Sequence, residues 1–137
     1  MVRVHETLAG VLDGHGSRVI GIDMPLGLTE SGWREADRFR GSCGYPLYEV
    51  HPELAFAVLA GAPLADSKHT AAGRERRREL LSRAGISLPR IARAPVTDTL
   101  DAAAVACSAW RIGTGRAVVI PARPQRDDRG LPIAIRY

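Results

Sequence analysis

The sequence predicts an α/β layer fold, on three observations. A continuous apolar run in "RVIGID", Arg18 to Asp23, is bounded by turn residues and reads as a strand covered on both faces, as in a parallel sheet. Segments with apolar residues at helical spacing alternate with this run and with other strand-like runs, which is the pattern of helices layered on a sheet. At 137 residues the chain has the length of one domain with a compact core, so residues 1–137 are read as a single domain.

The elements follow in chain order. In "ETLAGVL", Leu8, Val11 and Leu12 fall at helical spacing, and the glycines of "DGHGS" stop the helix. The strand to Asp23 comes next, and Pro25 and Gly27 turn the chain sharply behind it. "TESGWREADRFRGSCGYP" is polar and unpatterned, a loop with one or two helical turns between Trp33 and Phe39. Leu47 to Val50 reads as a strand; His51 then stands at the cap of a helix whose first position is Pro52, where a missing amide donor costs nothing. Gly61 follows its end. The basic segment "AAGRERRRELLSRAG" is a helix with Leu80 and Leu81 on its buried side and Gly85 at its stop. Beyond a proline-punctuated connector, a helix runs from about Asp98 to Ile112, and "AVVIPA" and "LPIAIRY" close the chain as one strong and one weaker strand.

Composition narrows the function classes. Hydrophobic residues make up 45% and charged residues 25%, as in an ordinary globular domain. No apolar run approaches the roughly 20 residues that span a bilayer, and no basic-then-apolar leader opens the chain, so no membrane contact is expected. Cys43 and Cys107 lie far apart and outside metal-ligand spacing, which predicts free thiols and a cytoplasmic protein. A net charge of +4 suits a polyanionic partner, and equally suits a solvated basic surface.

The chemistry-bearing residues lie in four places. Asp23 ends the first strand at the edge where ligands enter open α/β sheets; bonding to turn amides is the plain alternative. Asp98 and Asp101, three apart, share a face of the first turn of an alanine-rich helix that can lie close to a sheet; acids also cap helix starts for structural reasons alone. Glu49, His51 and Glu53 alternate, but the helix at Pro52 breaks the alternation, so at most two of them converge. His51 is open to three roles: ligand, proton shuttle or cap. Carboxylates with one histidine suit magnesium or manganese better than zinc, and two such ions about 4 Å apart serve phosphodiester cleavage. Lys68, the only lysine, and Arg74, Arg76, Arg77, Arg78 and Arg83 form a basic cluster; Arg74 and Arg78 share a helix face and suit phosphate positioning, while Glu75 and Glu79 suit neighbour pairing.

The same residues carry a family likeness. The combination of "GID-P-GL", "EVHPE", "SK-T--G--R" and "D-LDA", with "IPARPQRDDRGLPIAIRY" at the end, resembles domain-of-unknown-function family 429, predicted nucleases of RNase H-like fold. The resemblance implies an RNase H-like mixed sheet with flanking helices and Mg or Mn as cofactor. It implies Asp23 as the metal-binding acid of a central strand and Asp101, with Asp98 second, as the acid of the C-terminal helix. Glu49, His51, Glu53 and Lys68 belong to the family's signature.

Two departures shape the expectation. The family opens with a strand ending in a Gly-Val-Asp-Gly-like turn and a hairpin, on the order of 25 to 40 residues for three strands; this sequence lacks them, so the first three strands are expected to be missing. The stretch from Arg40 to Tyr48 is also shorter than in many relatives. An uncovered edge on the Val19–Asp23 strand would then invite self-association. The expected function is a metal-dependent nuclease using Asp23 and Asp101 with Glu49 or Glu53 and His51, with Lys68, Arg74 and Arg78 on nucleic acid, and possible inactivity from the missing acid. Two alternatives stand beside it: a non-catalytic nucleic-acid-binding module, and an α/β binder of a small phosphorylated metabolite.

Overall fold

In the computed structural model of the chain, the residues described are 10, 19–23, 44, 46–88, 94–128 and 130–137. Apart from Gly10, the helix expected over Glu6 to Leu12 lies outside them, as does the turn expected around Trp33 to Phe39. The elements run β1 (Ile20–Ile22), β2 (Leu47–Glu49), α1 (Pro52–Ala60), α2 (Ala71–Arg83), α3 (Val96–Gly113), β3 (Val119–Arg126) and β4 (Pro132–Arg136), a mixed α/β arrangement. Among the described residues no helix is long and apolar enough to cross a membrane.

The first strand and its partner bear out the parallel reading. β1 and β2 run parallel, with Ile20 opposite Leu47 and Ile22 opposite Glu49. Their side chains are half-buried apart from Leu47, which is buried against Ile20 and Ile22. The two closing strands form an antiparallel hairpin, its register broken between Ile120 and Gln125. The described strands thus make two two-stranded sheets rather than one continuous sheet. β4 meets β2 through side chains: the Arg136 guanidinium sits 4.5 Å from the centre of the Tyr48 ring.

The core lies where the three helices meet. Ala55 and Phe56 of α1, Leu80 and Leu81 of α2, and Leu100, Ala103 and Ala104 of α3 form one buried cluster. Fully burying a side chain such as Phe56, Leu81 or Leu100 stabilises the fold by about 1.5–3 kcal/mol. Pro52 opens α1 and Gly61 follows it in the left-handed conformation, as the spacing predicts.

Two readings of the helices need correction. α3 starts at Val96, so Asp98 lies in its first turn and Asp101 in its second; Pro95, not an acid, stands at the cap, because its fixed φ already suits entry into a helix. Arg77 belongs to no exposed basic face. It is 2% exposed and crosses the α1–α2 interface, donating from Nη2 to Glu53 Oε2 (2.7 Å) and from Nη1 to the carbonyls of Asp66 (2.9 Å) and Gly73 (3.0 Å). Its guanidinium also lies 5.4 Å from the centre of the Phe56 ring. Arg76, Arg78 and Arg83 pair with Glu79, Glu75 and Glu79 along the helix surface, as their spacing predicts.

The loop between α1 and α2 is clasped onto α2. Thr70 caps the helix by accepting from Gly73 N (3.0 Å) while its hydroxyl donates to Ser67 O (2.9 Å). A Cβ on Gly73 would stand 2.0 Å from Ser67 O, so this contact admits no side chain. Helix propensity alone favours Gly73→Ala by about 1 kcal/mol; the clash with backbone reverses the sign. Gly73→Ala is expected to lose about 1–3 kcal/mol in urea unfolding, and a raised midpoint would refute the clasp.

Candidate functional site

The site forms where the end of β1 meets the second turn of α3. Gly21 lets the helix close onto the strand: a Cβ there would lie 2.9 Å from Val105 Cγ1 and 3.2 Å from Val105 O. Asp101 precedes Val105 by four helical residues, about 6 Å, and Asp23 follows Gly21 by two strand residues, about 6.6 Å. Val19 lies beside Gly113 and Gly21 beside Val105, so helix and strand run in opposite senses and Asp23 comes toward Asp101. The charge of Asp101 accordingly raises the Asp23 carboxyl.

Lys68 bridges this pair to the clasped loop. Its Nζ donates to Asp101 Oδ2 at 2.7 Å, with the lysine side chain 33% and the aspartate 14% exposed. The loop is pinned on both sides of Lys68, by Arg77 on Asp66 O and by Arg74 Nη1 on His69 O (2.6 Å). Lys68 is held cationic above its usual range, first by the bond to Asp101, against the loss of solvent, and with help from the charges of Asp101, Glu53 and Asp23. The other oxygen of Asp101, Oδ1, is buried and has no hydrogen-bond partner among the described residues. An orphaned carboxylate oxygen of this kind is costly unless something completes it.

Asp23 is exposed at the end of β1, yet its carboxyl is raised. Loss of solvent on the protein side is the first cause and Asp101 the second, while His51 and Lys68 act in the opposite sense. His51 occupies the cap position of α1 in extended conformation, and its side chain makes no cap bond. Its charge is felt at Asp23 instead.

The remaining candidates divide. Glu53, in the first turn of α1, is held by Arg77 and acts on Lys68 only through space. Glu49 pairs with Ile22, which puts it on the pleat face of Ile20, Ile22 and Leu47, whereas Gly21 faces α3. Asp98 is exposed in the first turn of α3 and accepts from Thr97 Oγ1 (3.2 Å). Arg74 is tied to the loop and Arg78 to Glu75 (3.3 Å). Among the described residues no three His, Cys, Asp or Glu side chains gather as a metal cage. Sequence reasoning missed Arg77 as the residue that fixes the loop; its spacing from Gly73, Leu80 and Leu81 is the signal that places it on the buried stripe.

Because the native Asp23 carboxyl is raised, its ionisation opposes folding. The advantage of the protonated form is complete below about 3.8, the ordinary value, and is lost as pH rises through the raised native value. Asp23→Asn is therefore expected to be more stable than the parent at pH 7, with the difference vanishing in urea titrations at pH 3. Asp101→Asn is expected to lower the Asp23 titration seen in carboxyl carbon NMR, and an unmoved titration would mean that the two acids do not interact.

No curated protein and no solved structure matches the chain. A family model does match, over residues 40–126, a segment that includes His51, Glu53, Lys68, Arg77 and Asp101 and leaves out Asp23. With more than half of its length so matched, the chain belongs to the family described as "Protein of unknown function (DUF429)".

Proposed function

We propose that this protein is a divalent-metal-dependent phosphodiesterase acting on nucleic acid, with the RNase H-like character that its family likeness implies. The observation that carries the reading is the meeting of Asp23 and Asp101 at the carboxyl end of β1, with Asp101 Oδ1 buried and lacking a partner among the described residues. Two carboxylates with an unfilled oxygen fit a hard cation, magnesium or manganese, and Asp23 and Asp101 would hold it. The chemistry such a cation supplies is Lewis-acid polarisation of a phosphodiester.

The chain's own groups have distinct tasks in this reading. Lys68 fixes the orientation of Asp101 and adds a positive charge beside the incoming phosphate. His51, exposed and felt electrostatically at Asp23, would move a proton at the leaving oxygen. Arg74 and Arg78, one turn apart on α2, position the phosphate backbone without reading sequence. Glu53 supports the site through Arg77, and Glu49 supports the strand edge.

Cleavage of labelled RNA, single- and double-stranded DNA and RNA/DNA hybrid with manganese tests the reading, with Asp23→Asn prepared in parallel. The expected result is metal-dependent cleavage of at least one polymer, reduced about a hundredfold or more in the variant. Equal activity in both preparations, or none in either, contradicts it. Binding that weakens with salt but ignores EDTA would instead identify a non-catalytic nucleic-acid module.

A further inference from the structure

The face of α3 turned away from β1 lines a second concavity. It encloses about 680 Å³, within the range of small-molecule sites. Ala102, Ala106 and Trp110 of α3 form one side, and Leu59 of α1 with Ile86 and Leu88 beyond α2 form the other. The lining is mostly apolar, and its small alanines leave the space that larger residues would fill.

Among the described lining residues the charge is of a single sign. Arg111 is the only ionised group there, and no acid accompanies it among them. Its Nη2 donates to Arg116 O at 2.9 Å, and its Nε is buried without a hydrogen-bond partner among the described residues. Arg116 adds a second cation beside it, 5.2 Å from the centre of the Trp110 ring. Cys107 lies in the groove too, its thiol pushed up by burial against the weaker pull of Arg111, so it stays protonated and adds no negative charge at neutral pH.

We infer that this groove binds a small amphipathic anion, its apolar body along Ala102, Ala106, Leu59 and Leu88 and its single oxyanion head on Arg111. Charge complementarity selects the head: an ammonium group would face the Arg111 guanidinium with no acid among the described lining residues, and a neutral head would leave the guanidinium without the anion it suits. The groove uses a different face of α3 from the one bearing Asp101, so the inference stands apart from the proposed hydrolysis.

Titration of the protein with decanoate, monodecyl phosphate, decanol and decylamine, followed by amide NMR, tests it. The expected result is saturable shifts at Ala102, Ala106, Leu88 and Trp110 with one or both anions, and binding at least about tenfold weaker with decanol and decylamine. Comparing the two anions distinguishes a carboxylate head from a phosphate. Arg111→Met is expected to erase the preference for anions, and Ala106→Trp, which fills the groove from a surface position, to abolish binding in a protein whose spectrum shows it folded. Equal binding of decanol, shifts elsewhere, or anion preference that survives Arg111→Met would overturn the inference.

Discussion

One buried guanidinium holds the parts of this structure in relation. Arg77 reaches from α2 to Glu53 at the start of α1 and to the carbonyl of Asp66 in the loop between them. Glu53 retains 38% exposure, so the pair is only half desolvated, and the carbonyls of Asp66 and Gly73 satisfy much of the rest of the cation. A buried ion pair contributes little net stability when charge burial offsets its attraction. Its value here is geometric: the bond to Asp66 O and the close contact at Gly73 fix the loop, Leu64 packs it against the core, and Lys68 comes with it.

From that loop the argument passes to charge. α3 comes close to β1 because Gly21 has no side chain where the strand meets Val105. The same approach brings Asp23 and Asp101 together, an arrangement that like charges resist. Lys68 compensates one oxygen of Asp101, and the second oxygen stays orphaned among the described residues. Packing therefore holds an electrostatic conflict in place, and such conflicts gather at functional sites.

Much of this was legible in the sequence, for physical reasons that differ by residue. The strand ending at Asp23, the start of α1 at Pro52 and its stop at Gly61 follow from apolar continuity, ring geometry and left-handed φ, all local properties. The alanines of α3 announced a close approach to the sheet, while its counterpart on the strand, Gly21, emerges only from the packing. What local pattern did not convey was direction within the arginine-rich stretch. Five arginines between 74 and 83 look alike, and only the helical spacing of Arg77 from Leu80 and Leu81 separates the one that turns inward. The place of Asp101 was displaced by one turn, because Pro95 rather than Asp98 marks the helix start. The pairing of the two closing strands is local, but their separation from β1 and β2 depends on contacts far apart in sequence.

The central proposal is that Asp23 and Asp101 together hold a divalent cation, with Lys68 orienting Asp101. Manganese added at substoichiometric levels to isotope-labelled protein tests it directly, since the ion broadens nearby NMR resonances. The account predicts selective broadening around Asp23, Asp101 and Lys68 that magnesium competes away and that Asp101→Asn loses. Broadening spread over the acidic surface, or unchanged in Asp101→Asn, would contradict it.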